Sequence, residues 1–391
     1  LGAAVVCNIA AASDLRWIDT WAAVPDSAGP ALKAQTIRQI VRTSIGGPRV
    51  RVHLSNLFGT EPVTIGPVHI AAHATGSAIQ AGSDHAVTFG GNSTVTIPKG
   101  ADALSDPVSF PVTPLEELAV SMYLPMSTGA STTHGDAMQT AYITLRGDAT
   151  GAAMLPTGEI TSSRFFLTDV EVAADTAARA IVTVGDSITD GSHSTQDHFA
   201  RWPDALAARL QADQALGSIA VLNAGISGSR LLHDGVGPSA QSRFDRDVLS
   251  KAGVRWIILL DGINDIGAAN APATPQDDVT AQQIIDGMKA LIVRAHKKGI
   301  KIWGATLLPF GGTEWPFHSA SGEEKRQSIN AWIRTGGAFD AVLDFEQVVR
   351  DPVHPNRIAP SIDSGDHLHP NDAGYKAIAA SIDLHLLTQE R

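Results

Sequence analysis

"IVTVGDSITDG", residues 181–191, runs four apolar or β-branched residues into a glycine, an acid and a serine. A short continuous apolar run closed by turn residues is the pattern of a strand covered on both faces. On its own the Gly185-Asp186-Ser187 step is a turn. Whether Ser187 is more than a turn residue depends on what the following segments bring beside it.

From Ala178 onward strands and helices alternate. "RAIVTV" precedes the helical pattern "ARWPDALAARLQAD", "IAVLN" precedes "QSRFDRDVLSKAG", and "RWIILL" precedes "DVTAQQIIDGMKALIVRAHKKG". "IKIWGATLL" then leads to "EEKRQSINAWIRTG", and "AVLDF" leads through a long loop to "NDAGYKAIAASIDLHLL". Continuous apolar strands between helices of 3.6-residue period predict a three-layer, doubly wound α/β domain with five parallel strands over residues 176–391. Residues 14–175 have another rhythm. "TIRQIVRTSIGG", "PRVRVHLSNLFG", "VTIGPVHIA", "HAVTFGGNSTVTIP" and "AYITLRG" alternate apolar with polar positions between turn residues, which predicts an all-β, jelly-roll-like sandwich domain.

A chain of 391 residues is long enough for two such cores. A formal net charge of -11, with no basic run, opposes nucleic-acid and anionic-membrane partners. The single cysteine, Cys7, excludes a disulfide within the chain and any cysteine-based zinc cluster. Residues 1–13, "LGAAVVCNIAAAS", are uncharged and end in small residues like the tail of a secretory signal, so a secreted or periplasmic location is expected. No stretch approaches the ~20 apolar residues that a membrane-spanning helix needs.

Polar clusters fall where the strands of the α/β half end: "GDS", "AGISGS", "DGIND" and "LPFGG", with "DSGDHLHP" beyond the fifth. In open parallel sheets ligands bind outside the carboxyl ends of the strands, so these clusters can meet in one crevice. A serine there becomes a nucleophile once a base takes its proton, a third group orients the base and donors await the oxyanion. Asp366 stands three residues before His369, close enough for its carboxylate to reach Nδ1 and leave Nε2 facing Ser187. The Ser187 amide, the backbone at Gly228 and the Asn264 side chain are candidate oxyanion donors.

The ordered set "GDSITDG", "NAGISGS", "DGIND" and "DHLHP" resembles the SGNH hydrolases, the GDSL family of esterases and lipases. The resemblance implies Ser187, Gly228, Asn264 and His369 as the four named residues, with Asp366 completing the triad. It further implies a flavodoxin-like α/β/α fold and carboxylic ester hydrolysis without metal or other cofactor. Two departures are Ile188, where the family name has Leu, and Ile263 in the third motif. Some family members, among them carbohydrate esterases, carry a jelly-roll domain ahead of the hydrolase, and by that analogy the expected substrate is a short-acyl or acetyl ester of a carbohydrate.

Several other readings stay beside this one. A lipase or arylesterase acting on other small-molecule esters would use the same residues. The His367/His369 pair with Asp363, Asp366 and Asp372 could hold a metal, but a metal-dependent hydrolase leaves the Ser187 and Asn264 clusters unexplained. A glycan-binding protein would use the β half alone. "GISGS" nearly spells a nucleophile elbow, but Ser229 replaces its last glycine, so Ser227 reads as a loop residue. Trp315 and Phe317 in "GGTEWPFH" are candidates to line the substrate site. Trp202, His53, His69 and His134 read as packing, surface or satisfied core groups, and Asp261 and Asp265 as structural neighbours of Asn264.

Overall fold

The computed structural model describes residues 15–270, 273, 275–315 and 319–388. The signal-like stretch 1–13 and Phe317 lie outside the described residues. No described helix is long and apolar enough to cross a membrane.

The C-terminal half is built on one parallel sheet. Its strands are β1 (Arg179–Gly185), β2 (Ile219–Gly225), β3 (Val254–Leu260), β4 (Lys301–Ala305) and β5 (Ala341–Leu343), in the order β2-β1-β3-β4-β5. The chain runs from β1 outward to β2 and then crosses to the other side of β1 for β3, so the strand order reverses beside β1. That switch point opens a crevice at the carboxyl ends of β1 and β3. Ile181, Val182, Val184, Ile257, Ile258 and Leu259 are buried on both faces of the sheet, which explains why these strands read as continuous apolar runs.

The helices are α1 (Ser187–Asp190), α2 (Trp202–Ala212), α3 (Ala240–Phe244), α4 (Ile263–Asn270), α5 (Ala281–Lys297), α6 (Ala320–Thr335), α7 (Phe345–Val349) and α8 (Asp372–Ser381). Their starts follow capping chemistry. Thr280 and Gln283 form a reciprocal capping box at α5, and Asn371, rather than Asp372, caps α8 by accepting from the Gly374 amide at 3.1 Å. Two helices depart from the sequence pattern. "DGIND" does not remain a loop but opens α4, and "QSRFDRDVLSKAG" passes from α3 into a π turn over Asp245–Leu249.

The N-terminal half is mainly antiparallel. A four-stranded sheet holds Leu15–Ala22, Leu167–Asp175, Val50–Ser55 and Asp102–Leu104, in that order. A six-stranded sheet has Gln35–Arg42 and Glu117–Leu124 at its centre. Alternation in Gln35–Arg42 predicts a polar face toward solvent, yet Thr36, Arg38 and Gln39 are buried. Their polar groups find partners inside: Arg38 Nε donates to Ser121 Oγ at 2.7 Å, and the Gln39 amide bonds both the N–H and C=O of Phe165. Buried polar groups satisfied in this way cost little, so alternation need not mark an exposed face.

One hydrophobic core runs from the β half into the α/β half, from Ile18 and Val170 to Ile181 and Leu222. At the junction the Asp19 amide donates to Ala252 O at 3.1 Å, the Ala252 amide donates to Asp19 Oδ2 at 2.6 Å, and the Val221 amide of edge strand β2 donates to Ser44 Oγ at 3.1 Å. The β half thereby occupies the edge of the parallel sheet nearest β1.

Candidate active site

β1 and β2 end abreast on glycines, with Gly185 opposite Gly225. A side chain at Gly185 would stand 2.2 Å from Leu260 O, and one at Gly225 2.3 Å from the Asp190 amide. These glycines serve close approach: they let α1 drop onto the strand ends. Asp186 caps α1 by accepting from the Ile188 amide at 2.9 Å, and Ser187 takes the first helical position, where an amide has no partner within the helix.

The structure brings Ser187, His369 and Asp366 into contact. Ser187 Oγ lies 2.7 Å from His369 Nε2, and His369 Nδ1 lies 2.6 Å from Asp366 Oδ2. With Nδ1–H donating to the carboxylate, Nε2 accepts from the serine hydroxyl. Asp366 Oδ1 also accepts from Ser364 Oγ and from the Leu368 and His369 amides, each at 2.9 Å. Burial works to raise the Asp366 carboxyl, but its bonds from the His369 side chain and amide outweigh burial and hold it well below the usual carboxylate range.

Gly228 and Asn264 line the same cleft, about 510 Å³ in volume, with Ser187 and His369. Gly228 has φ +78°, and a Cβ there would meet Val236 at 3.0 Å, so conformation and space both call for glycine. Asn264, in the first turn of α4, donates one Nδ2 hydrogen to Ser229 O at 2.8 Å; an amide carries a second. Asp265 beside it accepts from the Leu231 and Leu232 amides at 2.6 and 3.0 Å, tying the loop after β2 to α4. Burial raises Asp265 to about 6 and Asp186 to about 7, and raises Asp261 well above the ordinary value. Three buried carboxyls next in sequence to the strand ends, Ser187 and Asn264 thus resist ionisation.

The H-x-H pair does not act as a unit. His369 turns to Ser187, whereas His367, at φ +61°, turns to Asp363, with 2.6 Å between Nδ1 and Oδ2. Asp372 instead accepts from the Thr195 amide and hydroxyl. Trp315 lines the cleft and is 58% exposed. Trp202 is buried against Phe345.

Five cleft residues, Leu368 among them, escape the sequence reading. His193 stacks on His369 with ring centres 5.1 Å apart, and its Nε2 lies 3.2 Å from Asp366 Oδ2. Ser192, Asp136 and Met138 complete the wall. Proximity of "GSHS" to the GDS step is the one signal that could have pointed to Ser192 and His193. Asp136 and Met138 come from the β half, immediately after the strand Ser131–His134, and carry no local signal at all. His134 is a satisfied core histidine as expected, but its partners link the halves: Nδ1 bonds Val24 O at 2.9 Å and Nε2 bonds Asp190 Oδ1 at 3.0 Å.

Residues 183–377 match the GDSL-like Lipase/Acylhydrolase family. Similar solved structures include LAE5, an α/β hydrolase enzyme from the metagenome of Lake Arreo, Spain, at 18% identity, covering 54% of this chain and 96% of its own, with a TM-score of 0.42. A catalytic mutant of Axe2, an acetylxylan esterase from Geobacillus stearothermophilus, is 19% identical over 54% of this chain and 95% of its own, with a TM-score of 0.41. A GDSL-like lipase from Bacteroides thetaiotaomicron VPI-5482 is 21% identical over 54% and 88%, with a TM-score of 0.38. No match to a curated protein is found.

Proposed function

This chain belongs, through residues 183–377, to the GDSL-like lipase/acylhydrolase family and is a carboxylic ester hydrolase; from that premise we propose that it is a serine esterase of short-acyl carbohydrate esters. The observation that carries the mechanism is the continuous pair of contacts Ser187 Oγ to His369 Nε2 and His369 Nδ1 to Asp366 Oδ2, at 2.7 and 2.6 Å.

In the reaction Ser187 Oγ attacks the ester carbonyl carbon while His369 Nε2 takes its proton, and Asp366 stabilises the imidazolium. The oxyanion is held by the Ser187 and Gly228 amides and the second Nδ2 hydrogen of Asn264, each donor contributing about 10²–10³ in kcat. Collapse breaks the ester C–O bond, and His369 returns the proton to the departing alcohol. Water, deprotonated by His369, then attacks the acyl-enzyme and releases the acid.

The cleft supports the substrate class. The cleft wall is mainly apolar, with Met138, Trp315 and Leu368, and carries a few polar groups beside the nucleophile, among them Asp136, Ser192, His193 and Asn264. Such a wall suits a small acyl group and the flat apolar face of a sugar ring, with the polar groups placed to meet its hydroxyls. The test is an ester panel on the parent and a Ser187→Ala variant. Turnover should fall by about 10⁴ or more in the variant, and the parent should prefer acetylated sugars and p-nitrophenyl acetate to long-chain p-nitrophenyl esters. Parental turnover in Ser187→Ala would remove the nucleophile assignment, and exclusive action on long chains would make the protein a lipase.

A further inference from the structure

The cleft is incomplete without the β half. Asp136 Oδ2 lies 2.6 Å from Ser192 Oγ and 3.0 Å from Ser227 Oγ, and the two serine oxygens are 2.9 Å apart. Ser227 Oγ also lies 2.9 Å from Asp190 Oδ2, which accepts from the Ser227 amide at 3.0 Å. Ser192 follows α1 and Ser227 directly precedes Gly228, so Asp136 sits between the loop after the nucleophile and the loop that carries an oxyanion donor.

Counting protons shows what this arrangement leaves open. Two serine hydroxyls supply two hydrogens for four oxygen–oxygen contacts. The shortest contact assigns the Ser192 hydrogen to Asp136, and the Ser227 hydrogen then goes to Asp190 or to Asp136. An ionised carboxylate has about four acceptor positions. Even with both hydrogens directed to it, Asp136 keeps acceptor capacity on a residue that lines the cleft beside Ser187. A half-buried carboxylate of this kind gains from a neutral hydroxyl donor and repels an anionic group.

We propose that Asp136 selects the alcohol part of the ester, accepting a hydrogen bond from a hydroxyl of a neutral sugar and rejecting anionic alcohols. The proposal rests on the serine-esterase reading and deepens it: chemistry comes from the α/β half and choice of alcohol from the β half. Sites built to bond a substrate hydroxyl discriminate strongly against alcohols that lack one.

Asp136→Ala and Asp136→Asn are compared with the parent on three acetates: an acetylated methyl xyloside, an acetylated methyl glucuronoside and p-nitrophenyl acetate. In Asp136→Ala the loss of kcat/KM on the xyloside should exceed the loss on p-nitrophenyl acetate by about tenfold, seen mainly in KM, the equivalent of one charge-assisted hydrogen bond. In Asp136→Asn the preference for the xyloside over the anionic glucuronoside should shrink by a similar factor. Equal losses on all three esters, falling on kcat, would reduce Asp136 to a brace for the Ser227–Gly228 loop and overturn the proposal. Undiminished xyloside activity in both variants would overturn it too, while leaving the Ser187 mechanism standing. A parent that cleaves p-nitrophenyl acetate but neither sugar ester would sink the carbohydrate reading together with the role of Asp136.

Discussion

At the scale of single residues, His193 is the addition that the geometry makes to the chain of contacts Ser187–His369–Asp366. Its Nε2 lies 3.2 Å from the same Asp366 oxygen that bonds His369, and its ring is nearly parallel to the His369 ring, 21° from it. The stacked ring covers one face of His369, which limits the positions that ring can take while, in the proposed mechanism, it accepts the serine proton. If His193 turns its Nε2–H onto Asp366 as the imidazolium forms, the resulting hydrogen bond to a carboxylate is worth roughly 1.5 kcal/mol or more, about tenfold in rate. His193→Ala should lower kcat about tenfold with KM little changed, and His193→Gln, whose amide can still donate, should recover part of that loss. Steady-state kinetics on p-nitrophenyl acetate measure both; an unaltered kcat in His193→Ala would leave His193 as a bystander. The residue evaded sequence reading because nothing in "GSHS" distinguishes it from a surface histidine. Ser187, His369 and Asp366, by contrast, stand in motifs whose chemistry makes sense only jointly.

At the scale of elements, placement of the proposed oxyanion donors depends on how the loop after β2 is fastened to α4. Asp265 does this with two amide bonds, and Arg243, fully buried, donates to the carbonyls of Ala224 and Gly185 at 2.7 and 3.1 Å at the ends of β2 and β1. Asp265→Ala leaves the buried Leu231 amide and the part-buried Leu232 amide unpartnered, so unfolding in urea should show a loss of about 2–4 kcal/mol. Activity should fall as well, since Gly228 lies in the loosened loop. The titration has a definite sign. A carboxyl raised from 3.8 to about 6 binds more protons folded than unfolded, so its ionisation lowers stability as pH rises across that interval. Asp265→Asn should make that slope shallower, the remainder belonging to Asp186, Asp261 and Asp19, which burial also raises; an unchanged slope would show that Asp265 does not contribute to it. The strand and helix pattern here was legible in periodicity alone. α4 was not, because five polar-rich residues cannot display a helical period. The buried polar face of Gln35–Arg42 was also hidden, because whether a polar side chain meets solvent or a distant backbone carbonyl is decided by tertiary contacts.

At the scale of the whole molecule, the two halves share a core and meet at the site through charge. His134 of the β half is buried between the Val24 carbonyl and Asp190 of α1, with Asp26 3.9 Å from Nδ1 and the cations Arg164 and Arg201 lining the same small cavity. Burial works to lower its basicity, but the charge and hydrogen bond of Asp190, with Asp26, raise it to about 9. The folded state therefore holds a proton that the unfolded chain releases near 6.5. The contribution to stability is fully present below about 6.5 and is lost as pH rises through about 9, on the order of 3 kcal/mol in all. His134→Gln can keep a donor to Asp190 but cannot titrate. Chemical unfolding from pH 6 to 9.5 should show parent stability falling with pH across this window and a distinctly flatter profile in His134→Gln. The same contact reaches the chemistry, because Asp190 also holds the Ser227 amide next to Gly228. If the His134–Asp190 pair fastens the β half to the oxyanion loop, kcat should decline over the same pH interval in the parent more steeply than in the variant. Parallel unfolding and kcat profiles for parent and His134→Gln would show that the pair couples neither stability nor catalysis across the junction.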